Sequence, residues 1–257
     1  MQYEPKHNES DQNYDKEGGF AHFSKLAIYL VAFVIIVSVV LNFGMGVLIK
    51  FIPEGKEYKL FSKSFSTNDY SQQEKEIDKI TQKLLRCANL KHSVKIELSD
   101  EIQPNAAATL TSKIIVNQGI FKAVKSENGL AFILAHEIAH FKHRDHLKGT
   151  GANIILSIIF GNNTFGDVAQ NASQSKYSRK QEEDADKFGL KILNCAYGHV
   201  GGATEFFEIM LEHDDRTFFK NIFGSHPLLK DRIRKMNSYG YAKKETQPLH
   251  RVFKQYM

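Results

Sequence analysis

The sequence of 257 residues predicts a mostly helical α+β domain preceded by a single transmembrane helix. Three observations support this prediction: an uncharged apolar run near the N-terminus, a few short β-type runs, and helical periodicity through most of the remaining chain. With 42% hydrophobic residues, the chain can bury a full-sized core. We therefore expect a small sheet inserted near the start of a helical domain.

The N-terminal region divides into a tail, a membrane span and a linker. Residues 1–25 are polar and charged, which predicts a disordered tail. Residues 26–49 are 24 consecutive residues without Asp, Glu, Lys or Arg, and a helix needs about 17 to 25 residues to cross a bilayer. A cleaved secretory signal would have a shorter apolar stretch of roughly 7 to 15 residues. Residues 50–65 are then a linker.

The distribution of charged residues predicts the orientation of the chain in the membrane and the kind of partner it binds. More lysines follow the span than precede it, so the positive-inside rule favours a single-pass protein with a cytoplasmic C-terminal domain, without fixing the side. The formal net charge of +5 is spread along the chain. We therefore expect a lipid bilayer as a partner and no nucleic acid, and the oligomeric state is not readable.

The main domain is predicted to cover residues 66–240, followed by a polar C-terminal tail at 241–257. It begins with an amphipathic helix, because Ser71 and Glu74 have capping-box spacing and apolar residues recur after them at helical intervals. From residue 128 onward the pattern is almost entirely helical. The β-type runs lie between these parts, at 93–98, 107–110 and 113–116.

The two cysteines, Cys87 and Cys195, lie 108 positions apart, and neither belongs to a C-x-x-C pair. This spacing excludes a cysteine zinc site. We expect buried thiols in apolar helices, while a single bridge between the two residues stays open, so cysteine usage does not fix the compartment.

The stretch LAHEIAHFKHRDH, residues 134–146, carries the strongest chemical signal. His136 and His140 lie four positions apart on a predicted helix, so both imidazoles can reach one Zn²⁺. The metal would polarise a water molecule, and Glu137 stands where a general base would remove its proton. Apolar residues between these positions predict a buried helix, which argues against two surface histidines.

A third ligand could come from His146 or from a distant residue. His146 would serve in the pattern H-E-x-x-H-x-x-G-x-x-H, whose glycine breaks the helix, but this chain has His143 at that position. If the helix continues, His146 lies roughly 9 Å beyond His140 along the helix axis. The local histidines are therefore expected to point away from the metal.

The distant candidate lies in the run SRKQEEDADKFGL, which begins at Ser178. Ser178 and Gln181 form a second capping box, and Glu182 and Asp186 share one face of the helix that follows. Such a pair can supply a metal ligand, Glu182, and a carboxylate, Asp186, that hydrogen-bonds a ligand histidine. Gly189 would allow a neighbouring helix to approach. An ordinary acidic helix face is the alternative reading of this segment alone.

HEIAH followed by SRKQEEDAD resembles the zinc metallopeptidases that include HtpX, the CAAX prenyl proteases and the mitochondrial Oma-type protease, which form metallopeptidase family forty-eight. The segments PNAAATL at 104–110 and SHPLLKDRI at 225–233 are similar to two further family elements. The resemblance implies a zincin-like fold of the gluzincin type and Glu182 as the third zinc ligand. Departures are Gly129, where an acidic residue often opens the active-site helix, and one membrane span instead of several. The apolar piece at 152–160 is too short to cross a bilayer.

The resulting prediction is a membrane-anchored zinc endopeptidase that cleaves protein or peptide substrates, with a role in membrane-protein quality control. Residues 112–118 are expected to form the edge strand on which the substrate pairs. His226 could donate to the oxyanion if it folds back, although a structural histidine is equally compatible. A membrane-tethered binding or chaperone-like module without turnover is the first alternative, which the intact Glu137 disfavours, and a zinc hydrolase that acts on a non-peptide amide is the second. The predicted site residues are His136, His140 and Glu182 as ligands of one Zn²⁺ per chain, Glu137 as base, and Asp186 as the partner of a ligand histidine.

Overall fold

The computed structural model describes residues 18–51, 53, 70–147, 177–212 and 229–256. The chain divides into two compact units, with the boundary between Gly44 and Met45. The predicted disordered tail is described only from Gly18, where a helix begins. Most of the predicted linker, the piece at 152–160, and His226 lie outside the described residues.

Helix α1 (Gly18–Phe51) includes the whole of the predicted span at 26–49, so the helical conformation of that segment is confirmed. Many of its apolar side chains are exposed, and Phe23 is 72% exposed. Among the residues that the structure describes, however, no helix combines the length and apolarity that crossing a membrane requires. The predicted transmembrane span is therefore not confirmed. The exposed large apolar side chains of α1 are Phe23, Leu26, Ile28, Tyr29, Leu30, Val31, Phe33, Val34, Ile35, Ile36, Val39 and Val40.

The second unit is mostly helical and contains one small sheet. Its helices are α2 (Gln72–Ala88), α3 (Glu127–His143), α4 (Arg179–Tyr197), α5 (Glu205–Glu212) and α6 (Leu229–Ser238). Its strands are β1 (Lys95–Ser99), β2 (Ala106–Ala108) and β3 (Lys113–Asn117), and 3-10 turns cover Gln118–Lys122 and Arg251–Tyr256. The three predicted β-type runs are thus confirmed, with ends that differ by one or two residues.

The predicted capping box opens α2. The Glu74 N–H donates to Ser71 Oγ at 3.2 Å, and the Ser71 N–H donates to Glu74 Oε2 at 2.9 Å. The second oxygen of Glu74 accepts from the Leu98 N–H at 3.1 Å, so the same carboxylate also ties the helix to β1. The buried face of α2, which includes Ile77 and Leu84, packs into the core.

The sheet has the order β1-β3-β2, with β1 parallel to β3 and β2 antiparallel to it. The prediction of an edge strand at 112–118 is therefore wrong, because β3 is hydrogen-bonded on both sides. Its side chains Ile114 and Val116 are fully buried, as suits a central strand. Among the described strands, the edge that lies next to α3 is β2.

Helix α3 forms the centre of the domain, and every residue from Asn128 to Phe141 is buried. Helix α4 packs closely against it at Gly189, where a Cβ atom would lie 3.4 Å from the His136 nitrogen and from Phe132 Cε2. This close contact confirms the predicted role of Gly189. It also brings the acidic face of α4 against the two histidines of α3.

A disulfide joins Cys87 of α2 to Cys195 of α4, with an S–S distance of 2.05 Å and Cα atoms 6.0 Å apart. The expectation of two buried thiols is therefore wrong, and Cys195 is in fact exposed. The two helices pack side by side, which brings together cysteines 108 residues apart in sequence.

The segment predicted as a polar C-terminal tail packs onto the domain. Phe253 is fully buried and stacks on Phe121, with ring centroids 4.4 Å apart. Backbone N–H groups of Glu127 and Val200 donate to the carbonyls of Gln247 and Ala242, each at 2.9 Å. A few apolar side chains in a polar sequence are thus enough to hold this segment against the core.

Candidate metal centre

The start of α3 is held by two side chains. Ser126 caps the helix, and its Oγ accepts from the Gly129 N–H at 2.9 Å. Glu205 accepts from the N–H groups of Lys125 and Ser126 and from the Ser126 hydroxyl. A Cβ at Gly129 would lie 2.9 Å from Glu205 Oε1, so the glycine leaves room for this carboxylate. These contacts fix the helix that carries the two histidines.

Three buried side chains point their donor atoms at one another. The Nε2 atoms of His136 and His140 lie 3.1 Å apart, and each lies 3.5 Å from an oxygen of Glu182. In a tetrahedral zinc site with bonds of about 2.0–2.1 Å, neighbouring ligand atoms are about 3.3 Å apart. The observed spacings match this value, so these residues could hold one metal ion.

Each histidine has a carboxylate on its other ring nitrogen. His136 Nδ1 lies 3.0 Å from Asp186 Oδ1, and His140 Nδ1 lies 3.1 Å from Asp145 Oδ2. Burial by itself would lower both histidine pKa values. The carboxylates of Asp186 and Glu182 outweigh it and raise the pKa of His136 to about 9, while Asp145 and Glu182 raise the pKa of His140. A metal that binds here would displace the proton from Nε2 of each histidine, while the carboxylate behind the ring keeps the Nδ1 proton in place.

Arg232 of α6 neutralises the acidic side of the centre. Its guanidinium donates to both oxygens of Asp186, at 2.6 and 2.8 Å, and lies 2.7 Å from Glu182 Oε2. It also lies over the Phe207 ring, 4.6 Å from the centroid. Burial would raise the pKa of Asp186, but the adjacent Arg232 charge lowers it. Asp186 can therefore stay ionised although it is almost fully buried.

Glu137 lies beside the ligand group without belonging to it. Its side chain is buried, and Oε2 accepts from the Ala108 N–H of β2 at 2.8 Å. The Tyr177 ring stacks on His140 on the neighbouring side, with centroids 3.8 Å apart. The base candidate is thus held by the edge strand rather than by another residue of its own helix.

A cavity opens beside Glu137 and His136, and most of its wall is apolar. It is lined by Asn105, Ala106, Ile120, Phe132, Ile133, His136, Glu137, Phe206, Phe207 and Arg232. Apolar surface next to a polar reactive group is typical of a site that accepts part of a ligand.

His146 lies outside the group of three, as expected, but the expected reason is wrong. Helix α3 does not continue past His143: Arg144 adopts a left-handed conformation with φ 57° and ψ 34°, without a glycine. The turn buries His146 against Phe141, with ring centroids 5.5 Å apart. Burial lowers the pKa of His146 to about 3.

The structure thus brings together five of the six predicted site residues, and the sixth, His226, is not described. No role was predicted for Asp145 or Arg232. Asp145 had a weak signal, because it is an acidic residue close to the histidine pair. Arg232 lies in the segment 225–233 that resembles a family element, but its contact with Asp186, 46 residues away, is visible only in the fold.

Comparison with known proteins agrees with this geometry. Residues 71–239 match Peptidase family M48. The mitochondrial metalloendopeptidase OMA1 of Schizosaccharomyces pombe is 31% identical over 156 residues, which are 56% of this chain and 46% of that protein. A putative beta-barrel assembly-enhancing protease of Vibrio cholerae is 28% identical over 149 residues, 50% of this chain and 31% of that protein. A protease HtpX homolog of Salinibacter ruber is 28% identical over 204 residues, 63% and 73% of the two chains.

The chain spans less than half the length of the first two of these relatives. The family match nevertheless covers well over half of this chain and includes His136, His140 and Glu182, the residues that could hold a metal ion. The chain belongs to Peptidase family M48, a family of metal-dependent peptidases.

Proposed function

We propose that this chain is a zinc-dependent endopeptidase in which His136, His140 and Glu182 hold one Zn²⁺. The observation that carries the proposal is the spacing of the three donor atoms, 3.1 to 3.5 Å, next to the buried carboxylate of Glu137. When bound there, Zn²⁺ would supply Lewis-acid chemistry and lower the pKa of a water molecule to roughly 7.

Glu137 acts as the general base in this proposal. One oxygen of its carboxylate is held by the Ala108 N–H at 2.8 Å, which fixes the direction of the other oxygen. That oxygen takes a proton from the attacking water and returns it to the leaving amine when the peptide bond breaks. Asp186 keeps His136 in the required tautomer, and Arg232 keeps Asp186 ionised.

An extended substrate would pair with β2, not with β3. The carbonyl of Asn105 and the N–H of Thr109 face β3, where they bond to Asn117 and Lys113. Since alternate residues of a strand face the same side, Ala106 and Ala108 turn their backbone groups towards α3 and the site. A peptide bound along this edge would lie beside Glu137 and could place an apolar side chain in the adjacent cavity.

We further propose that α1 anchors the peptidase to a bilayer, where it acts on membrane proteins in quality control. The support is the uncharged run at 26–49 and the exposure of successive apolar residues at 28–31 and 33–36, which cover every face of the helix. If carbonate washing released the full-length protein from membranes, this part of the proposal would be wrong.

Peptide cleavage is tested with Glu137→Gln in the purified full-length chain. The amide oxygen of glutamine can still accept from the Ala108 N–H, so we expect the fold and a zinc content near one per chain to persist. Casein hydrolysis should fall by at least about 100-fold, because the base is lost. Glu76→Gln, which changes an exposed pair with Lys79, is the matched control and should keep full activity.

Two outcomes would contradict the peptidase. If Glu137→Gln hydrolysed casein at a rate close to that of the parent chain, Glu137 would not be the general base. A zinc-loaded parent chain that binds peptides at the cavity and cleaves none would instead favour a binding module.

A further inference from the structure

The turn that ends α3 returns an acidic side chain to the metal centre. The helix ends at Arg144, which is left-handed and whose N–H donates to the Phe141 carbonyl at 3.0 Å. Asp145, the next residue, is only 1% exposed, and its Oδ2 lies 3.1 Å from His140 Nδ1. The backbone turn thus places a carboxylate behind one of the two histidines.

The other oxygen of Asp145 is held by the helix that carries Glu182. Gln181 Nε2 donates to Asp145 Oδ1 at 3.2 Å, while Gln181 Oε1 accepts from the Ser178 N–H at 2.8 Å. One side chain therefore caps α4 and grips Asp145 at the same time. Gln181 immediately precedes Glu182 in α4. The contact through Asp145 therefore connects His140 to α4 right beside Glu182, the metal ligand that α4 would supply.

We propose that Asp145 is a positioning residue for His140, and that Gln181 links this carboxylate to α4 so that the ligands of both helices are aligned before a metal binds. The inference rests on the proposed metal site and not on peptide hydrolysis. Asp145 holds the Nδ1 proton of His140 and directs Nε2 towards Glu182, as Asp186 does for His136. Each ligand histidine thus has a carboxylate from a different part of the chain.

The test measures metal binding in the full-length chain, by chelator competition for Zn²⁺ and by the visible absorption of bound Co²⁺. Asp145→Asn should raise the zinc dissociation constant by about 10 to 100-fold and shift the Co²⁺ spectrum, because a neutral amide orients His140 less firmly. Asp184→Asn is the matched control: it removes an exposed carboxylate of α4 that pairs with Lys180, and zinc affinity should not change.

Gln181→Glu separates alignment from helix capping. A glutamate keeps the acceptor that caps α4, but it replaces the N–H donor with a charge facing Asp145, so metal affinity should fall while the helix stays capped. The double variant Asp145→Asn with Gln181→Glu restores one donor opposite one acceptor. The double variant should lose less zinc-binding free energy than the sum of the losses in the two single variants. A purely structural role would give losses that add up.

Zinc affinity within twofold of the parent chain and an unchanged Co²⁺ spectrum in Asp145→Asn would overturn the proposal, and so would additive losses in the double variant. If Asp145→Asn fails to fold, Gln181→Glu alone decides, because its cap is kept. Failure of the peptidase proposal would look different: the parent chain would bind zinc normally and cleave nothing. A parent chain that binds neither metal would refute both.

Discussion

Replacing Glu182 by glutamine tests the carboxylate that completes the ligand group. The side chain keeps its shape and loses its charge at a position where it lies 3.5 Å from both histidine Nε2 atoms and 2.7 Å from Arg232. Arg232 keeps both contacts to Asp186 after the change, so its charge stays paired. We therefore expect the protein to fold and to lose metal.

The expected loss of zinc affinity follows from the number of protein ligands. Zinc binds to structural sites with roughly 10 to 16 kcal/mol, so one of three protein ligands accounts for about 3 to 5 kcal/mol. This corresponds to an affinity loss of about 10² to 10⁴-fold. The metal-free protein should lose only about 1 to 3 kcal/mol of stability, the cost of removing the charge from one side of a buried ion pair whose Arg232 keeps Asp186 as a partner.

The assay is zinc content by atomic emission after dialysis against a competing chelator, together with urea unfolding of the metal-free chain. Glu183→Gln is the control, because this neighbouring carboxylate pairs with Lys235 at the surface and should not affect the metal. Zinc retained by Glu182→Gln at the level of this control would refute the assignment of Glu182. An unfolded metal-free variant would refute the view that Arg232 stays paired.

Two further predictions concern stability. The pKa of His146 is about 3 in the folded chain against about 6.5 unfolded, so below about pH 6.5 only the unfolded state takes up the proton and stability falls. In the metal-free chain, the free energy of unfolding should fall between pH 6 and pH 4 by up to about 1.4 kcal/mol per pH unit because of His146, and His146→Leu should lack this contribution. If the free energy of unfolding changed equally with pH in both proteins, His146 would not be a buried neutral histidine. Cys87→Ser should cost about 2 to 4 kcal/mol, because the disulfide to Cys195 restricts the unfolded chain. Thermal unfolding should show this loss only without reductant, and an equal loss in reductant would mean that the bridge is not its cause.

The local parts of the centre were predictable from the sequence because each depends on residues a few positions apart. The spacing of His136 and His140 requires only a helix, and the capping boxes at Ser71 and Ser178 mark where two helices begin. The small sheet was located to within one or two residues for the same reason. The family resemblance then favoured Glu182 as the third ligand, where the residues alone had left His146 and Glu182 as candidates.

The tertiary structure decided what depends on contacts between distant segments. The position of β2 as the edge next to Glu137 follows from strand order, and strand order is set by which surfaces the core can bury. Arg232 reaches Asp186 across 46 residues because α6 packs against α4. The left-handed conformation of Arg144 is costly for a residue other than glycine, and buried contacts of Asp145 with His140 and Gln181 accompany it. Local sequence places His136 and His140 one helical turn apart, whereas the packing of distant helices brings Glu182, Asp186 and Arg232 against them.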